Sequence, residues 1–146
     1  MKILEFDTVI LGGGPAGFSA GLYASRGAAK TAIVDISMFG GQPSNYLELE
    51  NYPGFSKIGG YDLMEKFEAH ADMFGVQKFP LQEIESVDLI SNPKINKPKE
   101  NEFHSKSVII ATGAKPMQLG VKGEKEFIGR GVSYCAVCDS AFYKDK

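Results

Sequence analysis

The sequence predicts an α/β protein: a parallel sheet that opens on a strand–turn–helix–strand unit and carries a small antiparallel β insertion. Three observations carry the prediction. Phe6–Leu11 and Thr31–Val34 are short apolar, β-branched runs, the pattern of strands buried on both faces of a parallel sheet. Between them, glycine-rich Gly12–Gly17 leads into the alanine-rich stretch Ala16–Ser25, which fits the crossover helix of a βαβ unit. Far downstream, Phe103–Thr112 repeats the apolar strand pattern and ends at Gly113.

The elements follow in order. Pro15 suits the first position of the first helix, and Gly27 suits its stop. The second strand ends at Asp35. Ser37–Gly60 holds seven Gly or Pro and no period, so it reads as a long irregular loop, a feature more often functional than idle. Tyr61–Phe74 is predicted helical, because Leu63, Met64, Phe67, Ala71 and Phe74 share one face and Gly75 fits the C′ position. Val76–Ile90 reads as extended, interrupted at Pro80. Asn92–Asn101 reads as a polar turn, and the charged run Lys94–Lys106 as a solvated hairpin tip.

Composition bounds the function. The chain has 146 residues and a net charge of -2, which argues against a nucleic-acid partner. No apolar run approaches the ~20 residues that span a bilayer, and no secretory leader pattern is visible, so the sequence reads as cytoplasmic. Glycine is enriched, 17 of 146, or roughly 12% against a usual figure of about 7%. With only 7 Pro and no strict period, the surplus points to tight turns and close backbone approach to a ligand.

Gly12-x-Gly14-x-x-Gly17 follows a strand and opens a helix, the context that gives this motif its meaning. Gly12 permits the tight turn, Gly14 lets backbone approach a pyrophosphate, and Gly17 lets helix pack on strand. Gly13, Pro15 and Ala16 complete the loop, whose helix N-terminus offers free N–H groups to phosphates. Asp35, 18 residues after Gly17, is placed to bind ribose hydroxyls and would repel a 2′-phosphate. The dinucleotide expected here is therefore FAD or NAD(H), not NADP(H).

Cys135 and Cys138 are the only two cysteines and form a C-x-x-C followed by Asp139. Such a pair can close a disulfide within one turn, and its thiolate is a competent nucleophile. Asp139 can protonate a departing thiolate when its pKa is raised. Zinc is a second reading, but it wants four ligands, and His70 and His104 lie in separate elements. Two small buried thiols without chemistry are a third. No metal site is expected. Met38, Met64, Met73 and Met117 read as core and loop filler, and His70 as an edge residue of its helix. Tyr52 and Tyr134 read equally as packing residues or flavin contacts.

These residues resemble the low-molecular-weight thioredoxin reductases. Gly12–Gly17 with Ala20-Gly21-Leu22-Tyr23-Ala24-Ser25-Arg26 is similar to their FAD fingerprint. Gly40-Gly41-Gln42 and Glu50-Asn51-Tyr52-Pro53-Gly54 are similar to their two flavin-site loops. Ile110-Ala111-Thr112-Gly113-Ala114 resembles the strand end that closes the FAD half, and Gly129–Asp139 the redox-active segment. The flavin subunit that reduces peroxiredoxins shares most of this pattern. Ser140 stands where the family usually has Gly.

The resemblance implies an organisation and a mechanism. Residues 1–115 correspond to the N-terminal part of an FAD-binding domain, and 116–146 to the start of an NADPH and redox-disulfide domain. The expected cofactor residues are Gly12, Gly13, Gly14, Pro15, Ala16, Gly17, Asp35, Gly40, Gly41, Gln42, Asn51, Thr112 and Gly113. NADPH reduces FAD, and the reduced flavin passes the electrons to a Cys135–Cys138 disulfide. Cys138 faces the flavin, Cys135 attacks a thioredoxin-like protein substrate, and Asp139 is the acid. A homodimer and a hinge near Gly113–Gly120 are also implied. Gly120-x-x-Gly123 and Gly129-x-Gly131 do not open a helix after a strand, so the NADPH fingerprint is not expected within these residues. Readings as a partner-dependent electron-relay module or a truncated product stay open.

Overall fold

The apolar run at Phe6–Leu11 is the second half of a longer strand, β1 (Lys2–Leu11). The structure, a computed structural model, describes residues 2–98, 101–135 and 143–144. Helix α1 (Pro15–Arg26) and strand β2 (Thr31–Val34) complete the βαβ unit. After a 3-10 turn at Gln42–Asn45 come helix α2 (Gly60–Asp72) and strands β3 (Gln77–Phe79), β4 (Ile84–Asp88), β5 (Lys94–Pro98) and β6 (Asn101–Ile110). The six strands form one sheet in the order β3-β2-β1-β6-β5-β4. β3, β2, β1 and β6 run parallel, and β5 and β4 continue the sheet antiparallel. The architecture is the expected α/β class with its antiparallel insertion.

Both faces of β2 and of the second half of β1 are covered, which explains their apolar runs. Phe6, Val9, Leu11, Ala32, Val34 and Phe103 pack on one side. Ile10 and Ile33, the alternate residues, join Phe18, Met64, Ala71 and Val76 beneath the helices on the other. Along Val9–Leu11 and Ala32–Val34, neighbouring residues thus feed opposite cores, as a period of two requires.

Helix α1 stops where expected, with Gly27 as its C-cap at φ −76°, and the left-handed residue is Ala28, one position on, at φ +64°. Two local expectations are corrected. Helix α2 starts at Gly60 and stops at Asp72, short of Phe74, and Gly75 at φ +77° then turns the chain. The larger correction concerns Asn92–Asn101 and the Lys94–Lys106 run, where Lys94–Pro98 and Asn101–Lys106 are paired strand and not solvated turn. Lys94–Pro98 is an interior strand paired to β4 and β6. Hydrogen bonding on both edges overrides its polar composition and buries Asn96 completely.

The chain divides into two units, Met1–Gly113 and Ala114–Lys146. The second holds a short helix, α3 (Glu124–Phe127), and a bridge between Ile128 and Val132. Among the described residues, no helix is long and apolar enough to cross a membrane.

Candidate functional site

The parallel strands end together, and the glycine loops begin where they end. Gly12 N–H donates to the Val34 carbonyl at 2.8 Å, and Ala111 N–H to the Leu11 carbonyl at 2.8 Å. The ends of β1, β2 and β6 are thereby tied at the carboxyl edge of the sheet, the place where open α/β sheets bind ligands.

The three motif glycines differ in what demands them. Gly12 has φ +112°, and a Cβ there would lie 2.2 Å from the Ala111 carbonyl oxygen. A Cβ on Gly17 would lie 1.8 Å from the Gly12 carbonyl oxygen. Those two are required by the protein's own backbone. Gly14 is not: its nearest neighbour would be the Gly41 Cα at 3.7 Å, an ordinary contact. Gly14 is also the N-cap of α1, with no side-chain cap and no acidic residue in the first turn. An uncapped helix N-terminus carries unsatisfied N–H groups and partial positive charge. Pro15 occupies the first turn, and Ala16 is exposed beside it.

Asp35 and the second glycine loop close on the first. One Asp35 carboxylate oxygen accepts the Gly13 N–H at 2.6 Å, and the other accepts the Ser37 N–H and hydroxyl at 2.8 Å each. Gly40 N–H donates to the Gly13 carbonyl at 2.9 Å. Gly41, at φ +63°, would place a Cβ 3.0 Å from the Gly14 Cα, so here the two backbones themselves meet. Gln42 begins the 3-10 turn. Thr112 neighbours Gly12, with its Cα 3.1 Å from where a Gly12 Cβ would stand, and Gly113 at φ +68° has nothing within 4 Å of its own Cβ direction. Asn51 is different: it is exposed in the loop bracketed by the Leu49–Ile58 bridge. Tyr52 beside it packs edge-on against Phe67 at 5.8 Å.

In the second unit, Cys135 is half-buried and disulfide-bonded, and its N–H donates to the Ser133 hydroxyl at 3.1 Å. Cys138 and Asp139 lie outside the described residues. Glu124 does not stand out in the sequence, yet it is 3% exposed. Its carboxylate accepts the N–H groups of Leu119 and Gly120 at 2.7 Å each and the hydroxyl of Tyr134. The Tyr134 hydrogen bond is the main cause holding the Glu124 carboxyl below its usual pKa, and the same bond raises that of the phenol. Tyr134, read from sequence as a packing or flavin residue, is a hydrogen-bond donor. Among the described residues, no cluster of three metal-ligating side chains occurs.

A family model described as pyridine nucleotide-disulphide oxidoreductase matches residues 6–146. Thioredoxin reductase of Bacillus subtilis is 44% identical over 141 residues, and that of Helicobacter pylori 44% over 143. The matches cover 97% and 96% of this chain but 44% and 46% of those proteins, so the chain spans less than half the length of its relatives. The crystal structure of thioredoxin reductase from Streptococcus pyogenes superposes with a TM-score of 0.79 at 41% identity, over 94% of this chain and 45% of that one. On the family match, which spans nearly all of its residues, this chain belongs to the pyridine nucleotide-disulphide oxidoreductase family.

Proposed function

We propose that this chain is the N-terminal, flavin-binding portion of an FAD-dependent disulfide reductase of the thioredoxin reductase type. The observation that carries the reading is Gly14. It is the one motif glycine that the protein's own packing does not require, and it caps a helix whose N-terminus no side chain satisfies. A Cβ there would fill the space through which a pyrophosphate reaches the helix amides, so the residues fit the cofactor.

The roles follow. Gly12–Gly17, with Pro15 and Ala16, present backbone N–H groups to the phosphates. Asp35 braces the loop through Gly13, and its remaining lone pairs accept ribose hydroxyls. Gly40, Gly41, Gln42 and Asn51 supply the second wall, and Thr112 and Gly113 the third. FAD, once reduced by the donor, would supply the two electrons that reduce a disulfide. The Cys135–Cys138 pair takes those electrons. Cys135 thiolate then attacks one sulfur of a thioredoxin-like substrate and forms a mixed disulfide. Cys138 displaces it, releasing the reduced substrate and re-forming the pair. Asp139 gives its proton to the departing thiolate. NADPH is the proposed donor, bound by residues outside these 146. The second unit begins the redox domain, and the reading includes a homodimer and a cytoplasmic setting.

One observation favours dependence on further polypeptide. Among the described residues, β6 is paired on both edges only as far as Ser105; Lys106–Ile110 pair with β1 alone. Ile109 and Ile110 there are 37% and 65% exposed, unusual for the apolar end of a parallel strand. A complementing segment on that edge fits the reading.

The test is the visible spectrum of the purified chain supplied with FAD, before and after dithionite. The expected result is a protein-bound flavin spectrum that bleaches, with no consumption of NADPH. A chain that takes up no flavin, alone or with the remaining half of a related reductase added, overturns the reading. NADPH-dependent thioredoxin reduction by the chain alone overturns the placement of the donor site.

A further inference from the structure

We infer that Glu124 is a positioning residue for the redox segment, acting through Tyr134 to hold the chain directly before Cys135. The inference rests on the proposed role of Cys135 as a redox-active thiol. Gly123, left-handed at φ +88°, turns Glu124 inward at the start of α3. The carboxylate is nine-tenths buried and collects three donors, two of them backbone N–H groups of Leu119 and Gly120 and the third the Tyr134 phenol. A carboxylate has acceptor sites for all three, and bonds of this charge-assisted kind are the strong ones. The first two anchor Glu124 to the Leu119–Gly120 stretch of chain. The third reaches ten residues forward, to the side chain immediately preceding Cys135.

Backbone bonds order the approach to that point. Arg130 and Val132 N–H groups both donate to the Phe127 carbonyl, at 2.8 and 2.9 Å, and Gly129 N–H donates to the Val132 carbonyl at 3.0 Å. Beyond Val132, the Tyr134 phenol ties the segment back to the unit's buried carboxylate. Two thiols close a disulfide more readily when the chain carrying them is already ordered. Freeing one ordered residue lowers that effective concentration by about tenfold. Loss of the tie therefore makes the disulfide easier to reduce.

The experiment equilibrates the 146-residue chain with glutathione buffers and scores free thiols by alkylation and mass. Two glutathione thiols give two electrons and two protons to the Cys135 disulfide and become glutathione disulfide. No flavin or NADPH is needed. Tyr134→Phe, which removes only the hydroxyl, is expected to shift the equilibrium constant about tenfold toward the dithiol, or about 30 mV. Glu124→Gln is expected to shift it in the same direction, and the effect of Tyr134→Phe is expected to shrink in the Glu124→Gln background. A role confined to folding would lower the melting temperature and leave the potential unchanged; that result, or additive shifts in the double variant, overturns the inference. A parent chain whose disulfide does not equilibrate with glutathione overturns instead the redox-active reading on which it rests.

Discussion

Replacing each motif glycine by alanine separates the protein's needs from the ligand's. In Gly17→Ala the new methyl meets the Gly12 carbonyl oxygen at 1.8 Å. That atom is backbone, held where Gly12 N–H binds Val34, so relief requires α1 to move off the sheet. Overpacking of this kind costs typically about 1–3 kcal/mol, and a backbone obstacle places it near ~3 on the same scale. Alanine returns about 1 kcal/mol of helix propensity. The net loss is about 2 kcal/mol, or a fall of about 8 °C in melting temperature for a chain of this size. In Gly14→Ala the methyl meets only Gly41 Cα at 3.7 Å, and the backbone (φ −89°, ψ −171°) suits any residue. A small N-cap penalty of about 0.5 kcal/mol is offset by about 0.4–1 kcal/mol from restricting the unfolded chain. Its melting temperature should stay within about 2 °C of the parent, while FAD affinity falls at least tenfold. Circular dichroism melts and flavin fluorescence titration measure the two effects. If Gly14→Ala melts as low as Gly17→Ala, or binds FAD like the parent, Gly14 is not the ligand-facing glycine.

Asp35→Asn weakens a charge-assisted bond to Gly13 N–H; at roughly 1.5 kcal/mol it should lower the melting temperature by about 6 °C, read by calorimetry, and weaken FAD binding with it. Phe103 is fully buried and touches the rings of Phe6 and Phe79; Phe103→Ala should cost about 3–5 kcal/mol, seen as an early urea midpoint with an unchanged slope. Hydrogen bonds from Ser91 hold the Asp88 carboxyl down from its usual 3.8 to about 2. A depressed carboxyl stabilises the fold above its unfolded pKa, so this contribution should be complete above about pH 4 and lost between about pH 4 and 2. Carbon-detected NMR should find the Asp88 midpoint at about 2, and Asp88→Ala should flatten the acid limb of stability over that window.

The parts of the fold that could be read from the sequence are those whose cause is local. Phe6–Leu11, the glycine turn and Thr31–Val34 lie within about thirty residues, and their periodicities differ enough to mark strand from helix. β5 was not legible because nothing in Lys94–Pro98 makes it a strand: Asn96 is buried only because Phe103 and Val87 flank it across two ladders. Glu124 was hidden for a related reason. Its sequence neighbours Lys122, Lys125 and Glu126 are exposed, and a glutamate in a charged run reads as solvated; its burial is made by Leu119, Gly120 and Tyr134 folding back upon it.

The glycine loops show how such non-local causes change the meaning of a motif. From sequence, Gly12–Gly17 and Gly40–Gly41 are two separate ligand-facing segments. In the structure they form one body. The Phe39 ring lies where a Gly13 side chain would be, Gly40 N–H bonds the Gly13 carbonyl, and Gly41 meets Gly14 backbone to backbone. Asp35 adds a third tie through the Gly13 N–H. Gly13, the motif position with no assigned role in the G-x-G-x-x-G pattern, is thus the hub of the site: its N–H, its carbonyl and its missing side chain are each used by a different group. A side chain at Gly13 would displace Phe39 from its edge-on contact with Phe18 and pull the second loop away from the first. Gly14 would then keep its open space but lose the wall that shapes it, so the ligand-facing glycine depends on its neighbour for a function that neither performs alone.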